Sequence, residues 1–217
     1  MEKCTVLIVD DYHVVIDGIR STLASHPAFE IVGEAANGRE AVKQVRALNP
    51  DIVIMDISMP DLNGRDAVLQ IRTFNAGVRI IIFTMYPDKE YVRDLLKAGI
   101  TSYILKQDPM SDLIEALYAA RRGETFAGAF MTAFVSGEAG SPEEPESEKD
   151  GFEDLSLRER EVLQLIAEGN TIKDIAVKLS LSPKTVESHK YHIMQKLEIT
   201  TVAEMTKIAI KKKLIKA

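Results

Sequence analysis

Through the first 122 residues, short apolar runs alternate with longer amphipathic stretches. Val6–Val9, Ile31–Gly33, Ile52–Met55, Ile80–Phe83 and Tyr103–Leu105 read as strands. Between them, 13–25, 39–47, 64–74, 88–98 and 109–122 carry their apolar residues at helical spacing. Five βα units in a row predict a parallel sheet with helices on both faces. Every crossover is then right-handed. In such sheets the functional crevice lies beyond the carboxyl ends of the strands, where the strand order reverses.

The pattern changes after that. Residues 136–154 are acidic and rich in Pro, Ser and Gly, with little to bury, and predict a self-repelling linker. In 123–135, Phe126, Phe130 and Phe134 have the spacing to pack on either neighbour. From 155 onward the pattern is helical throughout. Ser156 and Glu159 form a capping box ahead of Val162, Leu163, Leu165 and Ile166, and Gly169 ends that helix. A short helix carries Ile172, Ile175, Ala176 and Leu179. Ser182-Pro183 then supplies an N-cap and a first-turn proline for a helix that turns Val186, Ile193 and Leu197 inward. Thr201 and Glu204 cap a last helix, on which Val202, Met205, Ile208 and Ala209 form an apolar stripe. That stripe is either a pairing surface or the lid of the domain's own core. The expected organisation is an α/β domain over 1–122, a linker over 123–154 and an all-α domain over 155–217.

Composition sharpens this division. The chain has 217 residues and a net charge of −6, which by itself argues against a polyanionic partner. The charge is unevenly placed, however: −4 over residues 1–136, −7 over 137–154 and +5 over 155–217. Only the helical tail suits nucleic acid. The single cysteine, Cys4, rules out an internal disulfide and fits a reducing compartment. With no apolar run long enough for a membrane span and no signal-peptide pattern, the expected location is the cytoplasm.

The strand ends carry the chemistry. The first ends in Asp10-Asp11 and the third in Asp56. Close carboxylates repel, so stability does not explain their grouping. A hard divalent cation such as Mg²⁺ resolves the repulsion with oxygen ligands. The fourth strand ends in Thr84, a hydroxyl donor, and the fifth in Lys106, a long cation. A metal, a hydroxyl, an ammonium and one well-placed carboxylate suit transfer of a phosphoryl group onto that carboxylate. The metal and Lys106 would stabilise charge on the phosphoryl oxygens. An enzyme working through Asp56, such as a hydrolase or phosphatase, would need a second general acid and a substrate pocket. Neither is visible, so the expectation is a regulator rather than an enzyme.

These residues, with Val53-Ile54-Met55-Asp56-Ile57-Ser58-Met59-Pro60, Gly64, and Tyr103 three before Lys106, resemble the receiver domain of two-component response regulators over about 4–122. The resemblance implies a flavodoxin-like (βα)5 fold with strand order 2-1-3-4-5. It implies that Asp56 accepts phosphate from a sensor histidine kinase. It also implies that Asp11, Asp56 and the Ser58 carbonyl ligate Mg²⁺, with Asp10 acting through water. Thr84 and Tyr103 would be the switch pair. Many receivers have a proline after the lysine; this chain has Gln107.

Residues 171–196 read as helix, short turn, helix, the second helix exposing Lys184, Thr185, Glu187, Ser188, Lys190, Tyr191 and Gln195. A helix of this kind fits the major groove of DNA. The run Leu155-Ser156-Leu157-Arg158-Glu159-Arg160-Glu161-Val162-Leu163, then Ile175-Ala176, Thr185-Val186, His189, Ile193 and Lys196-Leu197, resembles the LuxR-type DNA-binding domain. With a receiver ahead of it, the chain resembles the NarL/FixJ subfamily of response regulators. By motif position Glu187, Ser188 and Tyr191 would face the bases, and Lys184, Thr185 and Lys190 the backbone. Ile172 and Val202 stand where the pattern usually has Asn and Arg. The implied whole is a transcription factor controlled by phosphorylation, pairing as a homodimer on promoter DNA when phosphorylated.

Overall fold

A computed structural model describes residues 3–136 and 151–215. The alternating pattern folds as β1 (Cys4–Val9), α1 (His13–Leu23), β2 (Phe29–Ala35), α2 (Gly38–Leu48), β3 (Ile52–Met55), α3 (Gly64–Arg72), β4 (Arg79–Thr84), α4 (Lys89–Lys97), β5 (Ser102–Leu105) and α5 (Met110–Arg122). All strand pairs are parallel. The strand order is β2-β1-β3-β4-β5, with β6 (Phe126–Ala127) added beyond β5. This is the flavodoxin-like order plus one strand.

The period-two geometry of strands explains why the apolar runs are continuous. Leu7, Val9, Val53, Met55, Ile80, Ile82, Tyr103 and Leu105 point into one core, under α2, α3 and α4. Val6, Ile8, Ile52, Ile54, Ile81, Phe83 and Ile104 point into the other, under α1 and α5. Asn37 and Asn63 start α2 and α3 by accepting hydrogen bonds from Glu40 N and Asp66 N.

The amino-terminal fold runs past residue 122. After β6, α6 (Ala129–Val135) lays Phe130, Met131 and Phe134 on the first core, while Phe126 packs on the second. The phenylalanines of 126–134 therefore belong to the amino-terminal unit. Of the acidic stretch read as a linker, 137–150 lies outside the described residues. Its last residues belong to the tail: Phe152, in a single 3-10 turn (Phe152–Asp154), is almost fully buried in the helical core. The guanidinium of Arg160 lies 4.8 Å above its ring.

The tail comprises α7 (Leu157–Ala167), α8 (Ile172–Leu179), α9 (Pro183–Lys196) and α10 (Val202–Lys211). The Ser156/Glu159 and Thr201/Glu204 capping boxes form, as does a third at Thr171/Asp174. Ser182 caps α9 with Pro183 in its first turn. Ser180 takes the left-handed backbone that closes the turn between α8 and α9. The apolar stripe of α10 resolves towards its own core: Met205 and Ala209 are fully buried there, and only Val202 is exposed. Among the described residues no helix is long and apolar enough to cross a membrane.

The two units touch. Helix α7 packs on α3, and Glu159, Arg160, Glu161 and Gln164 are buried. Arg39 Nη2 lies 2.7 Å from Glu161, off the hydrogen-bonding direction. Arg65 pairs with Asp94 on its own side and reaches Glu153 of the tail at 3.3 Å. Arg160 bonds Glu153 and comes within 3.8 Å of the fully buried Asp66. Burial raises the Asp66 carboxyl above its ordinary pKa despite its hydrogen bond from Asn63 and the nearby Arg160. At the far edge Tyr91 donates to the Lys212 carbonyl, and Lys213 pairs with Asp88.

The buried Phe152 gives a direct test of where the tail begins. Replacing a buried phenylalanine with alanine costs about 3–5 kcal/mol. Phe152→Ala should therefore lower the tail's stability by roughly that amount in urea titration of the full chain. A loss well under 1 kcal/mol, the ordinary surface value, would place residues 151–154 outside the folded domain.

Candidate functional site

The strand order decides what meets at the carboxyl edge. β1 and β3 pair with Val9 opposite Met55, so the residues that follow, Asp10 and Asp56, emerge side by side. β4 and β5 lie beyond β3 and deliver Thr84 and Lys106 to the same edge. Asp10, Asp11 and Asp56 each offer a carboxylate oxygen, and these oxygens lie within 4.8 Å of one another. Among the described residues this is the one such cluster of possible metal ligands.

Lys106 is the internal counter-charge. Its ammonium lies 2.6 Å from Asp10 Oδ2 and 2.8 Å from Asp56 Oδ2. Burial alone would lower its pKa, but the field of Asp56 and the bonds to both carboxylates outweigh that and raise it. Lys106 thus stays charged. For Asp10 burial dominates and raises the carboxyl, against the opposing pull of Lys106 and the Tyr12 N–H. Asp56 Oδ1 accepts from Ile57 N at 2.6 Å, and the residue is 3% exposed.

Two further observations bear on what the pocket accepts. One ammonium bridges two of the three carboxylates, and the donor set is all hard oxygen, which fits Mg²⁺. The Thr84 hydroxyl is fully buried and has no hydrogen-bond partner among the described residues. A buried hydroxyl in that condition is costly and is suited to an incoming oxygen acceptor. Tyr103, 0% exposed, turns inward; its hydroxyl donates to the Tyr86 carbonyl at 2.6 Å and its ring stands 6.0 Å from Phe130. Burial raises its phenol well above the ordinary value.

The loop from Asp56 to α3 is closed by Gly64. A Cβ there would stand 2.0 Å from the Asp56 carbonyl oxygen and 2.9 Å from Ile57 Cα. Gly64 N donates to Ile57 O at 2.7 Å, so helix and loop touch backbone to backbone. Asp11 and Ser58 open onto a crevice of about 620 Å³, whose opposite wall includes Ala167, Glu168, Asn170 and Lys178 of the tail.

In the tail, α9 presents Lys184, Glu187, Ser188 and Tyr191 to solvent, with Thr185 and Lys190 half-buried. Thr185 is partly engaged in the cap, its hydroxyl 2.8 Å from that of Ser182. Gln195 donates to the Tyr191 hydroxyl at 2.9 Å. Val186 and Ile193 anchor the other side of the helix in the core.

The sequence from 6 to 118 matches the response regulator receiver domain, and 153–209 matches the luxR family of bacterial regulatory proteins. The chain belongs to the luxR-type response regulators. It is 41% identical over 213 residues to the oxygen regulatory protein NreC of Staphylococcus carnosus, covering 97% of this chain and 98% of that one. It is 38% identical to its counterpart in Staphylococcus aureus, with the same coverage. Among solved structures, the RcsB response regulator of Salmonella typhimurium aligns with a TM-score of 0.60 at 28% identity, covering 97% of this chain and all of that one. A structure of the RcsB–DNA complex aligns at 0.59 and 28% identity, covering 95% and 97%.

Within this response regulator the residues the sequence reading missed are on α7. Gln164 and Glu168 reach across to the loop after Asp56, yet in sequence they look like the solvated side of an amphipathic helix.

The close approach at Gly64 predicts a contrast with Gly18, whose added Cβ would meet nothing within 4 Å. Gly64→Ala should cost roughly 1–3 kcal/mol through overpacking. Gly18→Ala, in the interior of α1, should gain about 0.5–1 kcal/mol. Urea titration of both variants checks this, and equal effects would contradict the packing described.

Proposed function

We propose that this response regulator is a transcription factor whose DNA-binding tail is governed by phosphorylation of Asp56. The observation that carries this reading is the placement of Asp56: buried, bonded to Lys106, and next to Asp10 and Asp11 at the carboxyl edge. A sensor histidine kinase is the proposed donor. Asp11, Asp56 and the Ser58 carbonyl would hold Mg²⁺, with Asp10 acting through water; the ion would supply charge to offset that of the phosphoryl oxygens. Lys106 keeps an ammonium within reach of the same oxygens. Thr84 offers its hydroxyl to the phosphoryl group and, with the inward Tyr103, forms the proposed switch pair. The acyl phosphate would carry about −1.5 to −2 charges in place of the single carboxylate charge, at a buried site where that difference can bias a two-state receiver.

For the tail, we propose that α9 enters the major groove. Glu187, Ser188 and Tyr191 would face base edges; Lys184, Thr185 and Lys190 would face phosphates. The DNA partner is double-stranded promoter DNA, bound by a homodimer once phosphorylated, since one helix-turn-helix reads a single half-site. Cytoplasmic location follows from the same reading. The receiver unit takes in 4–135 and the DNA-binding unit begins with the 3-10 turn at Phe152.

With acetyl phosphate and Mg²⁺, the chain should take up one acid-stable, base-labile phosphoryl group, and Asp56→Asn should abolish it. Asp11→Ala should slow labelling and raise the Mg²⁺ requirement. Persistent labelling of the Asn variant would overturn the assignment of Asp56. Sedimentation of the phosphorylated chain on a two-half-site duplex should give two chains per duplex.

On DNA, Lys184→Ala and Lys190→Ala should each weaken binding to every sequence and reduce the salt slope by about one. Ser188→Ala and Tyr191→Ala should relax base preference instead. Lysine variants that changed preference at constant salt slope would reverse this sorting of contacts.

A further inference from the structure

The loop that follows the phosphoacceptor is held by a side chain from the other domain. Gln164 Oε1 accepts from both Asn63 N and Asn63 Nδ2, at 2.9 Å each. Gln164 Nε2 donates to the Met59 carbonyl at 2.9 Å and to Glu168 Oε1 at 2.9 Å. Glu168 Oε1 also accepts from Asp61 N at 3.0 Å. The side chain of Gln164 is 0% exposed, and its amide makes four bonds. The network admits one amide orientation: flipped, the NH₂ would face the two N–H donors of Asn63 and the carbonyl oxygen would face Met59 O.

Three backbone groups between residues 59 and 63 are therefore fixed by α7. Met59 follows Ser58, and both line the crevice with Asp11. The Ser58 and Met59 carbonyls lie in successive rigid peptide planes that meet at the Met59 α-carbon, and Pro60 restricts that hinge to extended conformations. Fixing one limits where the other can point. Asn63 starts α3 by capping it, so the far end of the loop is tied to the same amide.

We infer that Gln164, a residue of the DNA-binding domain, is a positioning residue for the cation site of the receiver. It holds the 58–63 loop in the conformation that presents the Ser58 carbonyl beside Asp11 and Asp56. The inference rests on the reading of that acidic pocket as a divalent-cation site. Its consequence is linkage: a domain contact that improves capture of the ion is itself strengthened by the ion to the same degree. The route runs along α7 and is separate from Thr84 and Tyr103.

The test is the affinity of the full chain for Mn²⁺ alone, measured by electron paramagnetic resonance, without any phosphodonor. The Gln164 side chain faces the receiver and not the tail's own core, so Gln164→Ala should leave both domains folded, as circular dichroism of the full chain checks. It should weaken Mn²⁺ binding about 10-fold, the usual scale for removing an outer-shell partner of a metal ligand. Gln164→Glu keeps the acceptor for Asn63 but sets a carboxylate oxygen against the Met59 carbonyl, and should weaken binding at least as much. Arg39→Ala breaks the pair with Glu161 elsewhere on the interface and should leave Mn²⁺ affinity unchanged. Wild-type affinity in either Gln164 variant would overturn the inference. So would equal weakening by Arg39→Ala, which would assign the effect to docking in general. If the wild-type chain bound no Mn²⁺, or Asp11→Ala bound it as well as wild type, the cation-site reading would fall first and this inference with it.

Discussion

Asp10 and Asp56 share a single ammonium, and most of this structure is arranged around that. Lys106 bridges the two carboxylates at 2.6 and 2.8 Å, with Asp11 beside them. Buried charges are tolerable only when paired, and here one ammonium serves two buried carboxylates. The parallel order enforces the meeting. β1 and β3 are neighbours in register, so Asp10 and Asp56 leave the sheet together. β5 stands two strands from β3, and only a long side chain spans that gap to bring a cation back. A cluster of three carboxylates around one lysine is the setting in which the proposed divalent cation, and with it a phosphoryl group, would be held.

Everything attached to the loop after Asp56 shares its fate. Gly64 brings the start of α3 against the Asp56 carbonyl, Asn63 caps that helix, and Gln164 ties the loop to the tail. A displacement of this loop has no apolar slack to absorb it. Interiors packed at crystal-like density move in steps rather than by continuous deformation. The covalent linker is then not the sole connection between the domains: a hydrogen-bonded one lies directly behind Asp56.

The sequence made the sheet legible because strands buried on both faces leave unmistakable apolar runs, and residues 6–9, 52–55, 80–83 and 103–105 all lie in strands. The caps at Ser156, Ser182 and Thr201 were legible because capping is local chemistry, readable within four residues. The residues at the strand ends were legible because carboxylates in such positions have no stabilising reason to gather. What was illegible depends on distant partners. Phe130 and Phe134 carry helical spacing but no address, and only the sixth strand shows that their surface is β5. The stripe on α10 had the same ambiguity, and its Met205 turned out to close the tail's own core. Arg160, Glu161 and Gln164 look like a solvated helix face because partners of each lie roughly 90 to 120 positions earlier.

That the interface is polar has a thermodynamic consequence. Ion pairs such as Arg39–Glu161 and Arg160–Asp66 return little net free energy, since desolvation offsets their attraction. Interfaces of this kind between domains of one chain are held by small differences and leave relative motion open. A contact built mainly from leucines would be harder to undo. On this polar surface, a change in the loop that realigns three backbone groups alters the contact by about 1 kcal/mol for each hydrogen bond. Meanwhile α9 remains exposed in the docked arrangement, with Lys184, Glu187, Ser188 and Tyr191 in solvent. Docking therefore leaves α9 uncovered. What it fixes is the direction in which α9 points relative to the receiver, and in the proposed dimer two tails would have to share one spacing to read two half-sites on the same duplex. A weak, polar, loop-dependent contact is well matched to that task, because orientation can be released without unfolding either domain.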